Sequence, residues 1–257
     1  MRAQALPPAA GRQWLLAGFA LFRRNPLMLS FLVLAYWFTV LFVASLPLLG
    51  SFLASLIAPG LSVGLMQAAR NVDRGVPIGL QTLYGSFRDN PRTLFALGAL
   101  YLCCCLGVLG LSVLIDGGDL FRIFVLNEKP DPAALEESNI SFAVLFVITL
   151  MIPVLAAWWF APALAAWHRL SLFKSLFFSF IACQMNWRGF LNYVLTLFLF
   201  AIFLPSLFLA LLLAILPAAA NFAQALVMMP LLLFVAPAIF ASFYASYRDI
   251  FGLSEIV

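Results

Sequence analysis

Charge is what this sequence has least of. Asp, Glu, Lys and Arg make up 9% of its 257 residues, against about 25% in a soluble domain. That scarcity excludes a water-facing surface around a core of this size. Lipid must therefore be the solvent for most of the chain. Histidine is nearly absent as well: His168, in "AWHRLS", stands alone and reads as an interfacial anchor beside Trp167 and Arg169. There is no His-Glu zinc motif, no Gly-x-Ser-x-Gly elbow and no phosphate-binding loop. No acidic, basic or histidine side chain sits clearly inside the long apolar runs, which weighs against proton- or ion-coupled transport. The four cysteines lack Cys-x-x-Cys spacing. Cys103, Cys104 and Cys105 are consecutive, and side chains on a helix diverge by about 100° per residue, so they cannot converge on one metal. They read as small packing residues. The chain is expected to have no catalytic residue, no cofactor and no metal site.

What is present is apolar sequence. Hydrophobic residues reach 65% and mean hydropathy is +1.08. A bilayer core of about 30 Å needs about 20 apolar residues at about 1.5 Å each. The runs are too continuous for the alternation of an outer-membrane barrel. The expected fold is an all-α polytopic membrane protein with six transmembrane helices, at about 27–47, 48–69, 92–115, 140–167, 189–216 and 220–247. Pro47 makes the first reversal tight. The lead "MRAQALPPAAGRQ" precedes an apolar run too long for a signal peptide, so the first helix is expected to act as an uncleaved insertion signal.

Basic residues mark the cytoplasmic side. Of the fourteen Lys and Arg, all but Arg122 and Lys129 lie before helix one, between helices two and three, between four and five, or after six. Arg122 and Lys129 share the 116–139 loop with Asp116, Asp119, Glu128, Asp131, Glu136 and Glu137. Both termini are predicted to be cytoplasmic and this acidic loop external. Within it, 120–126 is too short to span and is expected to lie on the far interface or against the bundle. The net charge of +4 then reflects topology and attraction to anionic lipid heads, and calls for no nucleic-acid partner. The expected partners are membrane lipids, with the 116–139 loop offering a docking surface for an envelope protein.

Two corners are nearly identical: "FRRNPLM" at Phe22 and "FRDNPRT" at Phe87. Asn25 precedes Pro26, and Asn90 precedes Pro91. A residue before proline is driven out of the α region, Asn is a good N-cap, and Pro suits the first helical position. Upstream lie the apolar stripes Leu15, Phe19, Phe22 and Leu80, Tyr84, Phe87. Each predicts a short amphipathic helix in the cytoplasmic interface, apolar face down. A third corner, "CQMNWRG", has Asn186 and Trp187, with Leu176, Phe180 and Cys183 upstream, widened by Phe173 and Phe177.

The even helices share Ala-Pro kinks at Pro59, Pro162 and Pro237. Each proline frees the carbonyl four residues earlier, at Ser55, Trp158 and Leu233. In hydrocarbon such a carbonyl needs a partner or a protein-lined cavity. Bending and packing is one reading of these kinks; a central apolar cavity is the other. Together the corners and kinks predict one integral membrane domain over 1–257, built as three pseudo-repeats at about 11–75, 76–171 and 172–257, each with an interfacial helix, a corner, a helix in and a kinked helix back. Asn192, Asn221 and Gln224 are expected to hydrogen-bond between helices.

The stretch "GRQWLLAGFALFRRNPLMLSFLVLAYW", followed by "APGLSVGLMQAARNVDRGVPIGLQTLYGSF", resembles a family of uncharacterised multi-pass inner-membrane proteins of proteobacteria. It is also distantly similar to the membrane domain attached to some bacterial glycerophosphodiester phosphodiesterases. The likeness covers about residues 11–100 and implies a bacterial inner-membrane location. No phosphodiesterase domain accompanies it, so that activity is not carried over. Two function classes follow. One is a non-catalytic scaffold, assembly or accessory component of the envelope; the other is a carrier or channel for a lipid or other apolar solute through a cavity at the kinks.

Overall fold

A computed structural model describes residues 3–47, 49–126, 128, 139–215 and 220–252. Among them the regular structure is helical throughout. The helices are α1 (Ala10–Arg24), α2 (Pro26–Ala44), α3 (Gly50–Asp73), α4 (Leu80–Gly85, extended by a 3-10 turn Ser86–Arg88), α5 (Pro91–Asp116), α6 (Asp119–Phe124), α7 (Ile140–Trp158), α8 (Ala161–Trp167), α9 (Leu172–Met185), α10 (Trp187–Ile215) and α11 (Ala220–Phe251). Six segments are long and apolar enough to cross a membrane: α2, α3, α5, the pair α7–α8, α10 and α11. The fold is all-α and polytopic.

The three corners are chain breaks between a shorter helix and a long one. Asn25 has φ −150° and ψ 69°, and Asn90 has φ −151° and ψ 62°. Near-identical angles follow from the proline that comes next in each case. Asn186, before Trp187, sits closer to helical values at φ −111° and ψ 21°. The expected N-cap role is not what the side chains do, for none of the three caps its helix. Asn90 Nδ2 instead donates to the Ala165 and Leu170 carbonyls, at 3.1 and 3.3 Å. Asn186 Nδ2 donates to Gln4, and its Oδ1 accepts from the Leu6 amide at 2.8 Å.

Each short helix turns one face to the bundle and leaves much of its apolar stripe outside it. On α1 the buried residues are Ala10, Gly11, Trp14, Gly18, Leu21 and Phe22, while Phe19 is exposed and Leu15 half-buried. On α4, Leu83 is buried and Leu80 and Tyr84 are exposed. On α9, Ser175, Ser179, Ala182 and Cys183 are buried, with Phe173 and Phe177 outside. Lipid is as apolar as leucine, so helices associate there through close packing and hydrogen bonds, and glycines let these helices come close. A Cβ on Gly18 would strike the Ala238 carbonyl and Ser242 of α11; one on Gly11 would strike the Gly189 carbonyl of α10; one on Gly64 would strike the Leu83 carbonyl of α4.

The packing relation is the same at three places. α4 lies on α3, α9 lies on α7 and α8, and α1 lies on α11. Each short helix thus docks on the kinked helix before it, and α1 closes the circle by docking on the last. α5 packs between α3 and α7, and α2 between α11 and α3. α10 behaves otherwise. Its first turns are held at Gly189 and Tyr193, but its most apolar stretch has no buried residue. α10 and α11 also carry π-helical segments, at Phe198–Phe203 and Leu231–Val235.

Of the 116–139 loop, 127 and 129–138 lie outside the described residues. Its start is ordered around α6, whose Leu120 is buried. Gly117 (φ 66°) and Gly118 (φ 103°) make the turn in the left-handed region, which glycine enters without a Cβ clash. The buried Asp116 carboxylate accepts the Gly118 and Leu120 amides, both at 2.9 Å.

Candidate functional site

The three Ala-Pro kinks take three forms. Pro59 sits within the continuous α3. Pro162 follows a break between α7 and α8. Pro237 follows the π-helical segment of α11. All three prolines are buried. Leu233, whose carbonyl Pro237 frees, receives the Ser30 hydroxyl of α2 at 2.5 Å. At the α7–α8 break, Ser179 of α9 does double duty: its hydroxyl accepts the Phe160 amide at 2.9 Å and donates to the Ala156 carbonyl at 2.8 Å. Trp158 turns its indole N–H to the Leu97 carbonyl of α5 at 3.0 Å. Gly98 of α5 presses against the Ser55 carbonyl, leaving no room for a Cβ.

A cavity of about 480 Å3 lies where these helices meet. Ser55, Pro59, Trp158 and Pro162 line it, with Phe240 and Phe243 from α11. Leu233 and Pro237 do not. α2 adds Tyr36 and Val40, and α5 adds Tyr101. No Asp, Glu, Lys, Arg, His or Cys is among the lining residues. Toward the end of the bundle where α1 begins, Trp159 of the lining packs against Phe190, Tyr193 and Phe243, with ring centroids 5.0–5.8 Å apart.

Two features at that same end carried no clear signal in the sequence. Asp73, at the end of α3, accepts Arg24 at 3.3 Å, Arg248 at 3.1 Å and the Tyr244 hydroxyl at 3.2 Å, tying α1, α3 and α11 together. A smaller polar pocket of about 210 Å3 lies between α3 and α4, lined by Gln67, Asn71, Gln81, Thr82 and Asp89 among others. The i, i+4 spacing of Gln67 and Asn71 was the available cue; they share a 2.8 Å hydrogen bond.

His168 Nε2 is 2.8 Å from the Tyr247 hydroxyl. Asn192 Oδ1 accepts the Arg12 amide at 3.0 Å, whereas Asn221 and Gln224 are exposed. Cys183 is buried and Cys103 exposed. Among the described residues no group of His, Cys, Asp or Glu is arranged to hold a metal ion.

No family model matches this chain, and no solved structure does. A curated protein of Burkholderia thailandensis, named as a "probable inner membrane protein", is 37% identical over 251 residues, which span 95% of this chain and 92% of the relative. Likeness of that extent covers all six apolar helices together with the corners and the kinks. The chain is therefore a multi-pass membrane protein, and it belongs to the family of that Burkholderia inner membrane protein.

Proposed function

We propose that this is a non-catalytic inner-membrane protein whose working part is the kink cavity, where it holds and hands on a lipid or other apolar solute. The carrying observation is the lining. Residues from all three kinked helices meet around a space of about 480 Å3 that offers no acidic, basic, histidine or cysteine side chain. Acid–base and nucleophilic catalysis need such groups, and an apolar molecule does not. The volume falls in the range of roughly 300–1,000 Å3 typical of small-ligand sites. The circular docking of α4, α9 and α1 supports the reading of the chain as three pseudo-repeats about an axis along the membrane normal. The basic loops support cytoplasmic termini; periplasmic reporter activity fused after Val257 would overturn that orientation. The likeness to phosphodiesterase membrane domains adds no activity.

A scaffold or accessory role is the second reading. It is favoured by the bare outer faces of α7 and α10, which offer apolar surface to another membrane protein. An envelope partner at the 116–139 loop belongs to this reading. Native mass spectrometry of the purified protein separates the two. The carrier reading expects a co-purifying lipid in the wild type that is lost in Ala58→Trp, which fills the cavity. Equal lipid retention by both, or none in either, removes it.

A further inference from the structure

We propose that the occupant of the kink cavity is an acyl chain of a bilayer lipid, and that it enters sideways between α7 and the outer parts of α10 and α11. This rests on the cavity reading above. The wall of the cavity is incomplete in one place. α2 closes the gap between α11 and α3, and α5 closes the gap between α3 and α7. By the same arrangement α10 would close the gap between α7 and α11, yet α10 contributes no lining residue. Its first turns do dock: Phe190 and Tyr193 pack on Trp159, which seals the gap at the end near α1. Past the π-helical segment at Phe198–Phe203, α10 has no buried residue up to Ile215. There its main packing is against α11.

The opening therefore lies at the level of the membrane-crossing helices, and the cavity is continuous with the lipid-facing surface of α7. Hydrocarbon chains are what that surface meets. The polar groups in the lining ask for little else. The Ser55 hydroxyl donates to Ser51, that of Ser62 to Pro59, and the Trp158 indole to Leu97, all to backbone carbonyls. The Tyr36 hydroxyl and the buried Trp159 indole N–H are left over, too few for a charged headgroup. π-helical segments and the prolines at 205 and 230 are the usual places where a helix bends, which lets the outer parts of α10 and α11 lean away from α7.

The test uses the full chain in vesicles of phosphatidylethanolamine and phosphatidylglycerol, containing a phospholipid with a diazirine at the acyl terminus. After illumination, mass spectrometry is expected to find label on Leu155, Phe240 or Phe243 as well as on the outward-facing Leu41. Ala58→Trp should cut the cavity label at least tenfold and spare Leu41. In a background with the four cysteines replaced by alanine, Leu145→Cys and Leu211→Cys joined by a flexible thiol cross-linker should cut the cavity label similarly. Undiminished cavity label after bridging overturns the sideways entry. A small aryl diazirine provides the control. If it labels the cavity and the phospholipid does not, the acyl-chain proposal falls while the cavity reading stands. If neither labels it, both fall.

Discussion

α7 and α8 are two parts of one span, and they are packed in opposite ways. In α8, Ala161 through Ala166 are all buried. In α7, Ala143 is the buried residue. Both are mostly apolar, with Ser141 and Thr149 the hydroxyl residues of α7; what differs most is side-chain size. α8 reads APALAAW, and α7 is full of Ile, Phe, Leu and Val. The same contrast runs through the molecule: the end built from α1, α4, α8, α9 and the later part of α11 is close-packed, and the end built from α7 and the outer α10 and α11 is bare. In lipid, burial follows from small residues and hydrogen bonds, with no hydrophobic driving force between helices.

The sharpest way to break this comparison is to enlarge glycines at both ends. Gly18→Val places methyl groups against the Ala238 carbonyl and Ser242. Overpacking costs about 1–3 kcal/mol where side chains yield, and here backbone stands in the way, so the variant is expected to lose folded protein in size-exclusion chromatography. Gly110→Val has open space and should elute as the wild type does.

Removing Asp73 tests the ion pairs. Arg24 is well exposed, while Asp73 and Arg248 are largely covered. Asp73→Asn should cost about 1–2 kcal/mol, less than the about 3–5 of a fully buried pair, read as a lower Tm in detergent. Asp119→Asn, facing the exposed Arg122 at 3.9 Å, should change Tm by no more than its measurement error.

A finer test compares two hydroxyls. Ser179→Ala strips both partners from the α7–α8 break and is expected to cost about 1–3 kcal/mol. Thr149→Ala removes a bond to Leu145 within its own helix and should be close to neutral. Equal effects would mean that the break is not held by α9.

The smallest effect is chemical. Burial pushes the Cys183 thiol up to about 12, so at pH 8 very little thiolate, the reactive form, is present. Maleimide labelling of Cys183 should be negligible in the folded protein and appear on denaturation in SDS, as mass spectrometry would show.

The sequence announced the corners because proline acts locally: Pro26 and Pro91 dictate the angles of Asn25 and Asn90 whatever surrounds them. Which residues of α1, α4 and α9 meet the rest of the bundle was not legible, since an apolar stripe does not say whether lipid or protein covers it. The meeting of Ser55, Pro59, Trp158 and Pro162 around one cavity was suggested by the spacing of Ala-Pro pairs. That Leu233 and Pro237 stand apart from it, with Ser30 satisfying Leu233, was not legible, because residues 30 and 233 share no local pattern.

Composition determined the solvent, and the length and continuity of the apolar runs determined the all-α fold and the number of apolar helices, because in hydrocarbon only helices and closed barrels bond every backbone group, and a barrel needs alternating residues. Tertiary structure decided the rest: which glycines touch a neighbour, that Asn90 and Asn186 bind distant carbonyls, and that α10 leaves the wall open. Those outcomes depend on shape and on hydrogen bonds between helices far apart in the chain, and an apolar helix in lipid carries little sequence signal for either.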